Sequence, residues 1–186
     1  MKIHMVGIGG ISMRGLACYL RDAGHEVTGC DLNPITLPHQ IVLTGHAASH
    51  ISGADEIIIN SAITPFHPGW IEVQAAQKAG IPVRKRAEKI GELTRARPTI
   101  AISGTHGKST TTGMIARLLL EAKKDPFVMI GAPVTAFAGQ TYRAGRGPLV
   151  LEADEFDRSF LQFTPQIAIV TNIEADTAPR GLNEEI

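Results

Sequence analysis

The 186-residue chain balances 18 lysines and arginines against 18 aspartates and glutamates, and is 44% hydrophobic and 19% charged. That excludes an intrinsically disordered chain, and zero net charge gives no general attraction to nucleic acid or anionic membrane. Only two cysteines occur, Cys18 and Cys30, which excludes a disulfide framework or a cysteine-rich zinc site and points to a reduced, cytoplasmic setting.

Strands alternate with helices along the chain. Residues 2–6 form a short apolar run ended by Gly7 and read as a buried first strand. Met13, Leu16, Ala17 and Leu20 recur at helical spacing, and Gly24 closes that helix. A second strand is predicted over 25–30, ending at Asp31. Residues 32–53 carry Pro34, Pro38, Gly45 and Gly53 and predict loop with a short strand or helix. The run Ile57-Ile58-Ile59 is that of a parallel strand covered on both faces. A helix over about 68–79 closed by Gly80, a short strand over 81–83 and a helix marked by Ala87, Ile90 and Leu93 follow. Pro98 disfavours helix at Arg97, so a domain boundary is predicted there, giving domains 1–97 and 98–186. Beyond it come a strand over 99–103 and a helical stripe of Thr111, Met114, Ile115, Leu118, Leu119 and Ala122. Strands over 127–130, 149–151 and 167–171 complete an α/β pattern with mainly parallel sheets. The N-terminal MKIHMVGIGGISM lacks the apolar core of a signal peptide, and no apolar run approaches the ~18 residues of a membrane span.

Two glycine loops follow strands and open helices, where backbone N–H groups and the positive helix end can receive phosphate. The first is Gly7-Ile8-Gly9-Gly10. A dinucleotide fingerprint needs a third glycine where this chain has Ser12, so nicotinamide specificity is weakly supported. Asp31, ending the second strand, can accept a hydrogen bond from a ribose or base. The plain alternative is a glycine turn with a solvated Asp31. The second loop is Gly104-Thr105-His106-Gly107-Lys108-Ser109-Thr110. Its amides can surround a polyphosphate, Lys108 can neutralise the β- and γ-phosphates, and the Ser109 hydroxyl can coordinate Mg²⁺. The usual pattern has glycine where this chain has Ile102, so the loop is a variant.

The sequence GTHGKSTTT at 104–112 resembles the G-T-x-G-K-[ST] loop of the Mur ligases, ATP-dependent amide-bond formers of peptidoglycan synthesis. VGIGGISM at 6–13, NSAIT at 60–64, IPVRKRAE at 81–88, EADEFDRSFL at 152–161 and IAIVTNIEAD at 167–176 resemble further family blocks, in order. The resemblance implies a Rossmann-like parallel-sheet N-terminal domain followed by part of a P-loop-type α/β ATPase domain. A third domain, helping to bind ATP and the amino acid, would lie beyond these residues. It implies ATP and Mg²⁺ as cofactors and, by the alanine-adding branch, UDP-N-acetylmuramate and L-alanine as substrates. The muramyl carboxylate would attack the γ-phosphate of ATP, and the amine would then displace phosphate from the acyl phosphate. On this resemblance Gly7, Gly9, Gly10, Ile11, Ser12, Asp31, Ser61 and Arg86 face the UDP-sugar. Gly104 to Thr110 hold the ATP phosphates, and Ser109 and Glu152 hold the metal. Lys108, His106 and Glu152 are the expected catalytic set.

Other readings stay open at this stage. A branch that adds a tripeptide to the same sugar nucleotide shares the loop, and a non-catalytic nucleotide-binding remnant is favoured by Thr177, where the family has a metal-linked histidine. On these grounds the 186 residues alone are expected not to form the amide. Asp154, Glu155 and Asp157 beside Glu152 read as a solvated acidic loop. His4, His25, His39, His46, His50 and His67 show no metal-ligand spacing and read as surface or strand histidines. Lys85 and Arg86 read as a solvated basic face, and Cys18 as a small core residue. Oligomeric state is not legible.

Overall fold

A computed structural model describes residues 1–37, 40–154 and 156–174. The chain divides into two compact units, Met1–Ile90 and Gly91–Ile186. The first holds β1 (Lys2–Val6), α1 (Ile11–Asp22), β2 (Glu26–Asp31), β3 (Ile41–Thr44), β4 (Glu56–Ile59), α2 (Trp70–Ala79) and β5 (Val83–Lys85). The helix α3 (Arg86–Ala96) runs through the division, so the break lies a few residues before Pro98.

The first sheet is wholly parallel, in the order β3-β2-β1-β4-β5. Its centre is buried on both faces, with Ile3, Met5, Val6, Ile57 and Ile58 all at 7% exposure or less. The predicted α1 face is the observed one: Met13, Leu16, Ala17 and Leu20 are buried. The strand expected at 81–83 begins two residues later. Gly80, in the left-handed region, and the Ile81 N–H, which bonds Ala76 O at 2.9 Å, complete the α2 cap, so Ile81 still belongs to the helix end.

The second unit holds β6 (Thr99–Ser103), α4 (Lys108–Glu121), β7 (Phe127–Val134), β8 (Gln140–Arg143), β9 (Leu149–Glu152) and β10 (Ile167–Val170). Its sheet order is β10-β6-β9-β7-β8, parallel except for the β7–β8 pair. The antiparallel β8 went unforeseen, because Gln140-Thr141-Tyr142-Arg143 carries no apolar run. Only part of the stripe expected on α4 is covered. Thr112 and Ala116 are buried and Ile115 and Leu119 pack on the sheet, whereas Met114 and Leu118 are exposed. Ser109, which contacts the end of β9, lies on the same helix face as Thr112 and Ala116. Among the described residues no helix is long and apolar enough to cross a membrane.

Candidate functional site

The loop between β6 and α4 is held from behind. Gly104 adopts φ +135°, and a Cβ there would overlap the Thr171 hydroxyl. The segment after β10 makes the other contacts. The Thr105 N–H bonds Asn172 O at 3.3 Å, and the His106 N–H bonds Asn172 Oδ1 at 2.9 Å. The Thr171 hydroxyl donates to His106 O at 2.6 Å. Glu174 N–H reaches Thr105 Oγ1 at 3.2 Å, and its carboxylate lies 3.6 Å from His106 Nε2. Gly107, at φ +80°, caps α4, whose first turn carries no acidic residue to offset its positive end. Lys108 Nζ donates to Gly104 O at 2.6 Å, so a second positive charge sits at the loop.

The Ser109 hydroxyl lies 2.9 and 3.1 Å from the two oxygens of Glu152, at the end of β9. Gly131 N–H donates to the same carboxylate at 2.7 Å. A serine hydroxyl and a carboxylate at a polyphosphate loop are hard oxygen donors of the kind Mg²⁺ takes, so these residues fit that ion. Asp154 is exposed, whereas Glu155 and the side chain of Asp157 lie outside the described residues, as do His39 and Thr177.

In the first unit a cleft of about 150 Å³ opens at the carboxyl ends of β1, β2 and β4, lined among others by Gly7, Gly10, Asp31, His46, Asn60 and His67. Gly9 N–H donates to Asp31 Oδ2 at 3.0 Å, and a Cβ on Gly9 would stand only 2.6 Å from that oxygen. Glycine is therefore needed here for Asp31 itself to approach. The N–H groups of Gly7 and Ile8 both bond Cys30 O, at 2.9 and 3.0 Å, and Gly10 N–H bonds Gly7 O at 3.2 Å. The loop is thus internally bonded, and an anion there would draw on the first turn of α1, where Ile11 and Ser12 stand. Asn60 and Ala62 line the cleft on either side of Ser61, and Arg86 heads α3 just beyond β5.

A family profile described as "Mur ligase family, catalytic domain" matches residues 2–98, more than half of the chain. The chain belongs to the Mur ligase family. Curated Mur ligase relatives named UDP-N-acetylmuramate–L-alanine ligase include those of Chlorobaculum parvum, 43% identical over 181 residues, and Thiobacillus denitrificans, 46% identical over 181. Each alignment covers 94% of this chain and 38% of the relative, so the chain spans well under half of their length. Among solved structures, the UDP-N-acetylmuramate–alanine ligase of Thermotoga maritima superimposes with a TM-score of 0.85 at 30% identity, over 95% of this chain and 42% of that one. A UDP-N-acetylmuramate:L-alanyl-γ-D-glutamyl-meso-diaminopimelate ligase from Neisseria meningitides gives 0.80 at 28% identity, over 95% and 61%.

Within this Mur ligase fold, sequence reading passed over Gly131, Thr171, Asn172 and Glu174, which carry their contacts from outside the recognised loop. The reading of the histidines needs correction. His4, His46 and His50 gather with Cys30 around Glu72, in a core formed by β1, β2, α2 and the loop after β3. His4 Nε2 and His46 Nδ1 each lie 2.9 Å from a Glu72 oxygen, and Cys30 Sγ is 3.2 Å from both. His4 and Glu72 are wholly buried. His4, His46 and Cys30 supply the hydrogen bonds that a buried carboxylate would be costly without. Those hydrogen bonds hold the Glu72 carboxyl below its ordinary range against the opposing push of burial. Burial and Glu72 together push the Cys30 thiol up.

Proposed function

We propose that the chain supplies the sugar-nucleotide-binding and phosphate-binding parts of a ligase that joins L-alanine to UDP-N-acetylmuramate at the expense of ATP. The observation that carries this reading is the Ser109–Glu152 pair beside a loop at the positive end of α4 that also carries Lys108. Lys108 would turn from the loop carbonyls to the γ-phosphate and hold the charge that develops there. Ser109 and Glu152 would hold Mg²⁺, which when bound supplies further positive charge to the transferring phosphoryl group. His106, largely exposed and bonded through its backbone to Asn172, would orient the attacking carboxylate. The cleft beside Asp31 is the proposed site of the uridine nucleotide sugar.

Alanine is preferred over the tripeptide as acceptor on the names of the curated relatives, 40–46% identical to this chain. The proposed setting is the cytoplasm, which suits two buried free thiols. Thermal melts with Mg·ATP and calorimetry with UDP-N-acetylmuramate against NAD test the reading. Stabilisation by Mg·ATP and selective binding of the uridine compound are expected; preferential NAD binding would overturn the assignment of the cleft.

A further inference from the structure

The buried cluster around Glu72 sets one carboxylate among three imidazoles and a thiol. Glu72 accepts from His4 and His46, so both nitrogens facing it carry protons, and Thr28 Oγ1, 2.9 Å from His4 Nδ1, fills the other side of that ring. Counted with neutral rings and a protonated thiol, the Glu72 carboxylate is the one formal charge of the group. Among the described residues no lysine or arginine pairs with Glu72, whereas the other buried acid of this unit, Glu56, is met by Lys89 at 2.9 Å and Arg84 at 3.4 Å. His50 Nδ1 is buried 3.4 Å from Glu72 Oε1 and makes no hydrogen bond. One nitrogen each from His4 and His50, the Cys30 sulfur and a Glu72 oxygen all lie within 4.8 Å of one another.

We propose that His4, Cys30, His50 and Glu72 form a binding site for a divalent transition metal of the zinc class, separate from the Mg²⁺ chemistry of the phosphate loop. Two imidazoles, a thiolate and a carboxylate are a zinc donor set, and tetrahedral bonds of about 2.0–2.3 Å would place the donor atoms roughly 3.3–3.7 Å apart. The observed atoms therefore need move only by tenths of an ångström to one ångström. A dication with one thiolate, one carboxylate and two neutral imidazoles sums to zero charge. Binding releases the Cys30 proton, while the neutral His4 ring moves its single proton from Nε2 to Nδ1. Thr28 Oγ1 then accepts that hydrogen from Nδ1 as the orienting partner of a ligating histidine. His46 stays outside the four ligands and keeps its contact with Glu72, between the metal and the cleft that it also lines.

The test uses the purified chain, stripped with a chelator and titrated with Co²⁺ and then Zn²⁺. One Co²⁺ per chain is expected, with tetrahedral ligand-field bands and a thiolate-to-cobalt charge-transfer band, both displaced by Zn²⁺, and a proton release on binding. Cys30→Ser removes the charge-transfer band, His50→Ala weakens binding at least tenfold, and Cys18→Ser leaves both unchanged. His50 is partly exposed, so its variant decides the matter should Cys30→Ser fail to fold. A folded chain that takes up no stoichiometric Co²⁺, a band that survives Cys30→Ser, or His50→Ala binding as tightly as the parent would overturn the proposal. No nucleotide or sugar enters the measurement, so its failure leaves the ligase reading standing, and the reverse holds.

Discussion

The Ser109 hydroxyl and the Glu152 carboxylate, 43 residues apart in the chain, meet at 2.9 Å where α4 begins and β9 ends. The same carboxylate takes the Gly131 N–H at 2.7 Å. Its charge is therefore aimed by two donors at the mouth of the phosphate loop. Glu152→Gln keeps the shape and can still accept from Ser109, but it removes the charge a metal needs. Loss of a charged partner is worth about 1.5–3 kcal/mol, or roughly ten- to a hundredfold in affinity. Isothermal titration at several Mg²⁺ concentrations is expected to show that loss with the Mg²⁺ dependence of ATP binding flattened. An unchanged Mg²⁺ dependence would remove Glu152 from the metal site.

Lys108→Ala separates binding from folding. Its ammonium contacts the carbonyls of Gly104 and Thr105, at 2.6 and 3.4 Å, at the tip of the loop rather than in the core. The substitution is expected to cost about 1 kcal/mol of stability or less. For a unit of this size that is at most ~4–8 °C in Tm. The Mg·ATP-dependent rise in Tm should vanish. A rise that survives would show that phosphate does not use this lysine.

How far these features could be read from sequence depends on where their determinants lie. Local ones were legible: the β-branched run at 57–59 gave a central strand, and the glycine-rich turn before Lys108 marked a helix start. The pairing of Ser109 with Glu152 came only from family resemblance, because no spacing rule joins residues on separate elements. Nothing in the sequence brought His4, Cys30, His50 and Glu72 together, since β1, β2, the turn at 48–51 and α2 each contribute one. The α4 stripe misled for a related reason. Period alone marks Met114 and Leu118 as part of the covered face, yet the face that meets the sheet carries Thr112, Ala116, Ile115 and Leu119.

The acid limb of stability carries a contribution from Asp125. Its carboxyl lies below the ordinary range, chiefly through the Arg146 N–H at 2.9 Å and then the Arg143 guanidinium at 2.8 Å. A group whose pKa is depressed on folding stabilises the folded chain above its unfolded value, about 3.9 for aspartate. It loses that contribution as pH falls through the folded value. Asp125 is exposed, so the effect is small and fades with added salt. Denaturant melts of parent and Asp125→Asn at low ionic strength are expected to differ above about pH 4 and to converge below it. A difference that grows towards acid pH would reverse the sign argued here.

Gly104→Ala tests whether the strap after β10 holds the phosphate loop in shape. The position is strained for any side chain at φ +135°, at a cost of about 1–3 kcal/mol. The added Cβ would also overlap the Thr171 hydroxyl and stand 3.0 Å from the Asn172 backbone N and O. Those two residues hold Thr105 and His106 through three hydrogen bonds. Displacing them frees the loop as well as straining it. Gly139→Ala, outside the loop, is the matched control: it too has a positive φ, but its Cβ would meet nothing within 4 Å. Both variants should lower Tm, since each puts alanine in a left-handed or extended-positive conformation. Only Gly104→Ala should also abolish stabilisation by Mg·ATP while UDP-N-acetylmuramate binding persists. Equal loss of ATP binding in the two variants would show that general destabilisation by a strained alanine, and not the Thr171–Asn172 strap, accounts for it.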